Sequence, residues 1–263
     1  MGVVERSAPG RPEWASLQAD HLARYFFASE HVRGKRVLDA GCGFGYGSAL
    51  LRSSGAVEVV GVDIAADIIA QASKEYGREG LTFIKDDCHT LTQISGNFDV
   101  ICNFENLEHL ERPELFLNRA LSLLAEDGVL LVSSPDRSAT QPFVNGKPAN
   151  PFHQNEWYRD DFRSLLKSIF PIVDVKRQVQ TYAAQERQVA LESLRRHLKW
   201  SNPITWYCNR LMYGISGRWP LGQFFGLTAP SLGDFPIVSE DVAPLMGKSV
   251  VLLGTCSKPA RAQ

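Results

Sequence analysis

The chain of 263 residues predicts an α/β fold built on a mostly parallel sheet. Three observations carry that prediction. Short apolar segments alternate with stretches of helical periodicity between about residues 15 and 180, the signature of linked βαβ units. A glycine turn, Gly41-Cys42-Gly43-Phe44-Gly45, follows directly on the apolar run Arg36-Val37-Leu38-Asp39-Ala40. An acid, Asp63, closes the next strand pattern about twenty residues after the turn.

Residues 15–32 read as a helix, because Leu17, Leu22, Tyr25, Phe26 and Val32 recur at roughly helical spacing. Strands are expected at 36–40, 57–62, 81–85, 98–103 and 128–133. Helices are expected between them at 46–53, 65–76 and 108–125, with a short turn near 90–94. Asp127-Gly128 is read as the stop of one helix and the start of the next strand. Asp160 is placed as the cap of a helix over 161–168, followed by a strand at 172–180. Ser249-Val250-Val251-Leu252-Leu253-Gly254 reads as a final strand.

Roughly 65 residues lie between those last two strands, too many for a structureless loop. The organisation expected is therefore a main domain of residues 13–182 plus 236–257, with a lid-like insertion over 183–235. Within the insertion, 184–200 reads as helical and 201–233 is rich in aromatics, Gly and Pro.

Composition narrows the class. A net charge of −1 gives no global attraction to nucleic acid or to a membrane surface. Five cysteines, scattered and odd in number, argue for reduced thiols rather than a disulfide framework. The opening MGVVERSAPGRPEW lacks the apolar core of a signal peptide, and no apolar run approaches the ~20 residues of a membrane span. The expectation is a soluble cytoplasmic protein, with a homo-oligomer left open.

Alternating glycines let a backbone approach a ligand closely, and the helix that follows offers unpaired N–H groups to an anionic group. The spacing here is G-x-G-x-G, not the G-x-G-x-x-G of most dinucleotide binders, which weighs against NAD. With the preceding Asp39, the stretch VLDAGCGFGYGS resembles motif I of the class I S-adenosylmethionine (SAM) methyltransferases. That resemblance implies a Rossmann-like sheet of seven strands, mostly parallel, whose last strand runs antiparallel. Asp39, Gly41, Gly43 and Gly45 then form the cofactor turn, and Asp63 with Ile64 meets the ribose. In the family an acid after the third strand accepts from the adenine amine and the next residue offers a backbone N–H. Asp87, ahead of Asp86, and Cys88 match those positions. Asn103 and Phe104 end the fourth strand beside the methionine part, and Arg24-Tyr25 resembles a segment that covers the cofactor in related enzymes.

A second constellation lies in Phe104-Glu105-Asn106-Leu107-Glu108-His109-Leu110. If this stretch is a helical turn, Glu105, Glu108 and His109 share one face at the carboxyl end of the sheet. Two carboxylates and an imidazole so placed repel and desolvate unless a cation or proton is shared. His153, in Asn150-Pro151-Phe152-His153-Gln154-Asn155-Glu156-Trp157, is placed to reach the same mouth. This E-x-x-E-H plus H-x-x-E-W pattern resembles the small-RNA 3′-terminal 2′-O-methyltransferases, in which two Glu and two His hold a divalent metal. Glu105, Glu108, His109 and His153 match that set, for Mg²⁺, Mn²⁺ or Zn²⁺. A looser E-x-x-E-H occurs in quinone-biosynthesis O-methyltransferases and in methyltransferases of bacterial glycan clusters. The alternative is a helix cap without metal, in which His109 or His153, with Glu105 beside them, does the proton work.

The insertion brings Trp200, Trp206, Tyr207, Tyr213, Trp219, Phe224 and Phe225. Over 185–220 it has six Lys/Arg against two Glu, a mixture suited to sugar faces and phosphates. The expected function is SAM-dependent O-methylation of a small molecule or glycan. A quinone or phenol acceptor ranks next, and a terminal RNA ribose below it, since no RNA-binding module is visible. From another class stands a non-catalytic SAM- or NAD-binding regulatory protein.

Overall fold

A computed structural model describes residues 14–182, 184–185, 231–239, 241–243 and 247–258. The chain opens with α1 (Trp14–Ser29). It then alternates β1 (Arg36–Ala40), α2 (Tyr46–Ser53), β2 (Glu58–Asp63), α3 (Ala66–Tyr76), β3 (Leu81–Lys85) and β4 (Phe98–Asn103). After a single 3-10 turn at Leu107–His109 come α4 (Pro113–Leu123), β5 (Leu124–Pro135), α5 (Arg159–Lys167) and β6 (Ile172–Thr181). The short β7 (Ile237–Val238) and the long β8 (Gly247–Ser257) end the described chain.

The described strands form one sheet in the order β3-β2-β1-β4-β5-β8-β6-β7. Pairing is parallel from β3 through β5, with Asp39 opposite Gly61 and Cys102 opposite Leu131. β8 then enters antiparallel between β5 and β6. The expected parallel sheet with an antiparallel last strand is therefore the observed one, and β7 adds an eighth, two-residue strand at the far edge that the sequence did not announce.

The core explains why the central strands read as continuous apolar runs. Neighbouring residues point to opposite faces, and both faces are covered by helices. Leu38, Val60, Ile101, Leu130 and Leu252 join one buried cluster with Phe116 of α4 and Phe162 of α5. Their neighbours Val37, Val59, Val100, Leu131 and Leu253 join the other, with Tyr25 of α1 and Leu51 of α2.

Two expected elements change. The helix foreseen over 108–125 is split, because Pro113 occupies the first turn of α4. A proline there suits a helix start and pushes the residue before it out of helical conformation; Arg112 has φ −129° and ψ 76°. Gly128 is not a helix stop but lies within β5, where the register against β4 shifts. At α5 the cap position falls to Tyr158, and Asp160 sits with Asp161 in the first turn, where their charge meets the positive end of the helix.

The helix expected over 184–200 and the aromatic stretch to 233 lie almost wholly outside the described residues. Where the chain is described again, Phe235 packs on Ala19 and Ala23 of α1. Among the described residues no helix is long and apolar enough to cross a membrane.

Candidate functional site

One cavity of about 900 Å³ opens at the carboxyl ends of β1, β2 and β4. Its floor is the glycine turn. The N–H groups of Gly41 and Cys42 both donate to the Val62 carbonyl at 2.8 Å, which ties the turn to the end of β2. Gly41, Gly43 and Gly45 have φ of 82°, 51° and 82°, the left-handed region that side chains avoid. A Cβ on Gly41 would stand 2.6 Å from the Asn106 side chain, and one on Gly45 2.7 Å from the Phe83 ring. A Cβ on Gly43 would meet nothing within 4 Å, so that backbone faces open cavity.

Asp39 stands behind this turn rather than in it. It is fully buried and is not part of the cavity wall. Its carboxylate accepts from Ser48 Oγ at 2.6 Å, and from the Tyr25 hydroxyl at 3.2 and 3.4 Å. Burial pushes its pKa up to about 6, the Ser48 and Tyr25 bonds pull against that rise, and the charge of Asp63 adds to it. It thus fixes α2 and α1 against the turn.

Asp63, Ile64, Asp87 and Cys88 do line the cavity. Asp63 accepts from the Gly43 N–H at 3.2 Å and the Ala65 N–H at 2.9 Å, which aims its carboxylate across the turn. The two acids after β3 face different ways. Asp86 is turned inward and caps its own loop, accepting from the N–H groups of Asp87 at 2.8 Å and Gln93 at 2.6 Å. Asp87 faces the cavity. Burial alone would raise its pKa, but the His89 backbone N–H and ring nitrogen, both 2.8 Å away, bring it below the usual carboxylate value. Burial, with Asp63 adding to it, pushes the Cys88 thiol up to about 12, so it stays protonated.

Asn103 takes a different place. It is fully buried and donates to the Ala40 carbonyl at 2.9 Å, joining β4 to β1 behind the cavity rather than lining it. Tyr25 does reach the wall, packed edge-on against Phe104 and Tyr46 at 5.2 and 5.8 Å.

At the other end Glu108, His109 and His153 come together. Each offers one ligand atom, and these lie within 4.8 Å of one another. The His109 and His153 rings meet edge-on at 5.2 Å. The loop is drawn in by its backbone, the N–H groups of Gln154 and Asn155 donating to the Glu108 carbonyl at 2.8 and 3.1 Å. His109 Nδ1 lies 3.0 Å from the Phe152 carbonyl, an acceptor only, so Nδ1 is its protonated nitrogen. His153 Nδ1 is 2.9 Å from Glu156, itself held by Thr140 Oγ1 at 2.6 Å, and its Nε2 is 2.9 Å from the Asn150 amide nitrogen.

Glu105 stands apart from that trio. The helical turn begins only at Leu107, and Glu105 has φ 49°. Its carboxylate accepts from Ser133 Oγ at 2.8 Å, on β5. Burial raises its pKa, while Arg24 works against that rise. The expected four-residue set is therefore three residues with Glu105 beside them on the same wall.

Sequence reasoning did not single out His21, Tyr46, His89 or Phe152, which also line the cavity. Tyr46 and His89 were findable, since each directly follows a residue that was named. His21 gave no signal beyond its helical spacing.

A family model described as "Methyltransferase domain" matches residues 31–186. A probable S-adenosylmethionine-dependent methyltransferase of Mycolicibacterium smegmatis is 31% identical over 164 residues, 62% of this chain and 62% of that protein. A ubiquinone biosynthesis O-methyltransferase of Glaesserella parasuis is 36% identical over 116 residues, covering 40% of this chain and 48% of the relative. The matches thus span about half to three-fifths of these relatives. The crystal structure of the cyclase SpnF superposes with a TM-score of 0.59 at 17% identity, over 97% of this chain and 86% of that one, a likeness of fold alone.

Proposed function

This chain belongs to the class I S-adenosylmethionine-dependent methyltransferases, and from that membership we propose that it moves a methyl group from SAM to a hydroxyl oxygen of a small molecule or glycan. The observation that carries the reading is one continuous cavity with two different ends. The glycine turn, Asp63 and Asp87 form one, and Glu108, His109 and His153 form the other.

The bound cofactor would supply an electrophilic methyl group, so the protein's task is largely alignment and proton removal. In this reading Asp63 would accept from the two ribose hydroxyls and Asp87 from the adenine amine; both line the cavity. Gly43 lets the backbone approach. With the proton of His109 held on Nδ1 by the Phe152 carbonyl, Nε2 is the basic nitrogen on the cavity side and the candidate general base. Glu156 orients His153 from behind.

The trio also fits a divalent cation such as Mg²⁺, Mn²⁺ or Zn²⁺. Ligands of one ion at ~2.0–2.3 Å lie roughly 3–4 Å apart, and these donors stand within 4.8 Å of one another, so a small inward shift seats them. Such an ion would lower the pKa of an acceptor hydroxyl and orient a vicinal diol. Glu105 is left to the acceptor side of the wall, outside the ligand set.

Residues 183–235 are proposed as an insertion bordering the acceptor mouth. The support is that Phe235, at its end, packs on α1, whose His21 and Tyr25 line the cavity. A quinone or phenol acceptor is the second reading, favoured by the likeness to the ubiquinone O-methyltransferase.

Transfer of labelled methyl from SAM to a panel of sugars, catechols and quinols tests the function. Label is expected on oxygen. Tight SAM binding with no turnover on any acceptor class would favour a regulatory SAM-binding protein, and tight NAD binding without SAM binding would sink the reading.

A further inference from the structure

Behind His153 runs a chain of side chains that lies outside the cavity wall. Arg137, just past the end of β5, donates through Nη1 to Thr140 Oγ1 at 2.8 Å and to the Gln141 carbonyl at 2.9 Å. A guanidinium only donates, so Thr140 accepts there and its own proton goes elsewhere. Glu156 Oε2 lies 2.6 Å from that hydroxyl, against 3.2 Å for the Arg137 carbonyl, and takes it. The other carboxylate oxygen, Oε1, is 2.9 Å from His153 Nδ1. A carboxylate only accepts, so Nδ1 carries the imidazole proton.

The opposite side of the ring gives the same answer independently. Asn150 Oδ1 accepts from the Phe152 N–H at 3.0 Å, which turns the amide nitrogen toward His153 Nε2, 2.9 Å away. An amide nitrogen only donates, so Nε2 accepts. Asn150 stands on the cavity wall with His153. The Glu156 side chain is 2% exposed, with Arg137 3.6 Å off as its counter-charge. A buried ion pair is a weak stabilising device, because desolvation offsets much of its attraction. A buried carboxylate bonded to the back of a cavity histidine sets which ring nitrogen is basic. The same arrangement raises the basicity of an imidazole that holds a metal.

We propose that Glu156 is a positioning residue for the acceptor end of the cavity. Held by Thr140 and Arg137, it keeps His153 in the Nδ1–H tautomer, with the Nε2 lone pair turned to the Asn150 amide. An ion or the acceptor hydroxyl then takes the place of that amide. What replaces the amide rests on the methyl-transfer reading above, whereas the tautomer does not depend on it.

Long-range ¹H–¹⁵N NMR of the histidine rings reads the tautomer at about pH 8.5, well above the ~6.5 of a model imidazole. His153 is assigned by the signals lost in H153Q. Wild type should show His153 as Nδ1–H. E156Q, whose amide can donate to Nδ1, should admit the Nε2–H form. His109, held by the Phe152 carbonyl instead, should stay as it is and serves as the control. Calorimetry gives a second readout. E156Q should weaken Zn²⁺ binding about ten- to hundredfold and leave S-adenosylhomocysteine within about twofold. E156D, whose carboxylate is one methylene short, should fall between. If E156Q does not fold, T140V, which removes the hydroxyl donor and keeps Glu156, should move both readouts the same way by less; no movement in either overturns the proposal. Nε2–H as the main form in wild type, or a His153 spectrum unchanged in folded E156Q, also overturns it. So does equal loss of zinc and S-adenosylhomocysteine, which would mean a structural role. Wild type that binds no zinc defeats the metal reading, and wild type that binds no S-adenosylhomocysteine defeats the methyl-transfer reading. In either case the tautomer still decides the role of Glu156.

Discussion

Asp39→Asn is expected to stabilise the protein above pH 6 and to matter little below pH 4. The wild-type carboxyl is fully buried on β1 and its pKa is pushed up to about 6, first by burial. In the unfolded chain it returns to about 3.9. Between those values the folded protein keeps a proton that the unfolded chain has released. Stability therefore falls as pH rises through this window and stays low above it. Roughly two units at 1.36 kcal/mol each is about 3 kcal/mol. Asn has the same shape without the charge. Its Oδ1 can keep the bond from Ser48, 2.6 Å in the wild type, and its amide can donate to the Tyr25 hydroxyl, which rotates to accept. Allowing for weaker bonds, the gain should be about 1–3 kcal/mol at pH 7.5, roughly 2–12 °C in melting temperature. Thermal melts of both proteins from pH 4 to 8 measure it, and subtraction removes every other titrating group. A difference that stays constant across that range, or a variant less stable than wild type at pH 7.5, refutes the reasoning.

Gly47→Ala should lower the melting temperature, since its Cβ would stand 2.0 Å from the Tyr25 ring, and overpacking costs about 1–3 kcal/mol. In a Tyr25→Ala background, itself destabilised by loss of a buried ring, Gly47→Ala should cost clearly less, and an undiminished cost would mean the clash lies elsewhere. Asp63→Ala should weaken S-adenosylhomocysteine binding by about 1.5–3 kcal/mol in calorimetry, through lost charge-assisted hydrogen bonds and a looser Gly43 turn. Glu108→Gln should cut turnover sharply while cofactor affinity stays near wild type, because Glu108 belongs to the His109–His153 cluster and not to the glycine turn or the Asp63 and Asp87 wall. Chelator should reproduce that loss and Mg²⁺, Mn²⁺ or Zn²⁺ should restore it; full activity in chelator would dismiss a required metal and leave His109 or His153 as base.

The sequence by itself determined the sheet and the floor of the cavity. Val37-Leu38, Val59-Val60 and Val100-Ile101 are apolar on consecutive positions, which only a strand covered on both faces requires. The glycine turn and Asp63 were equally legible, because short chain distance fixes how a strand end meets the next strand's end. Tertiary structure decided what chain distance does not constrain. Asp39 and Asn103 read as cavity residues, and packing put both behind the wall, one holding Ser48 and Tyr25, the other the Ala40 carbonyl. Glu105 read as a partner of His109 by helical spacing, but the 3-10 turn starts only at Leu107, and Glu105 stands before it in a left-handed conformation bonded to Ser133. The meeting of His153 with Glu108 and His109 depends on a loop over forty residues away in sequence folding onto the Glu108 carbonyl. Arg24 of the first helix meets Gln178 of β6, 154 residues later in the chain, only once the sheet is assembled.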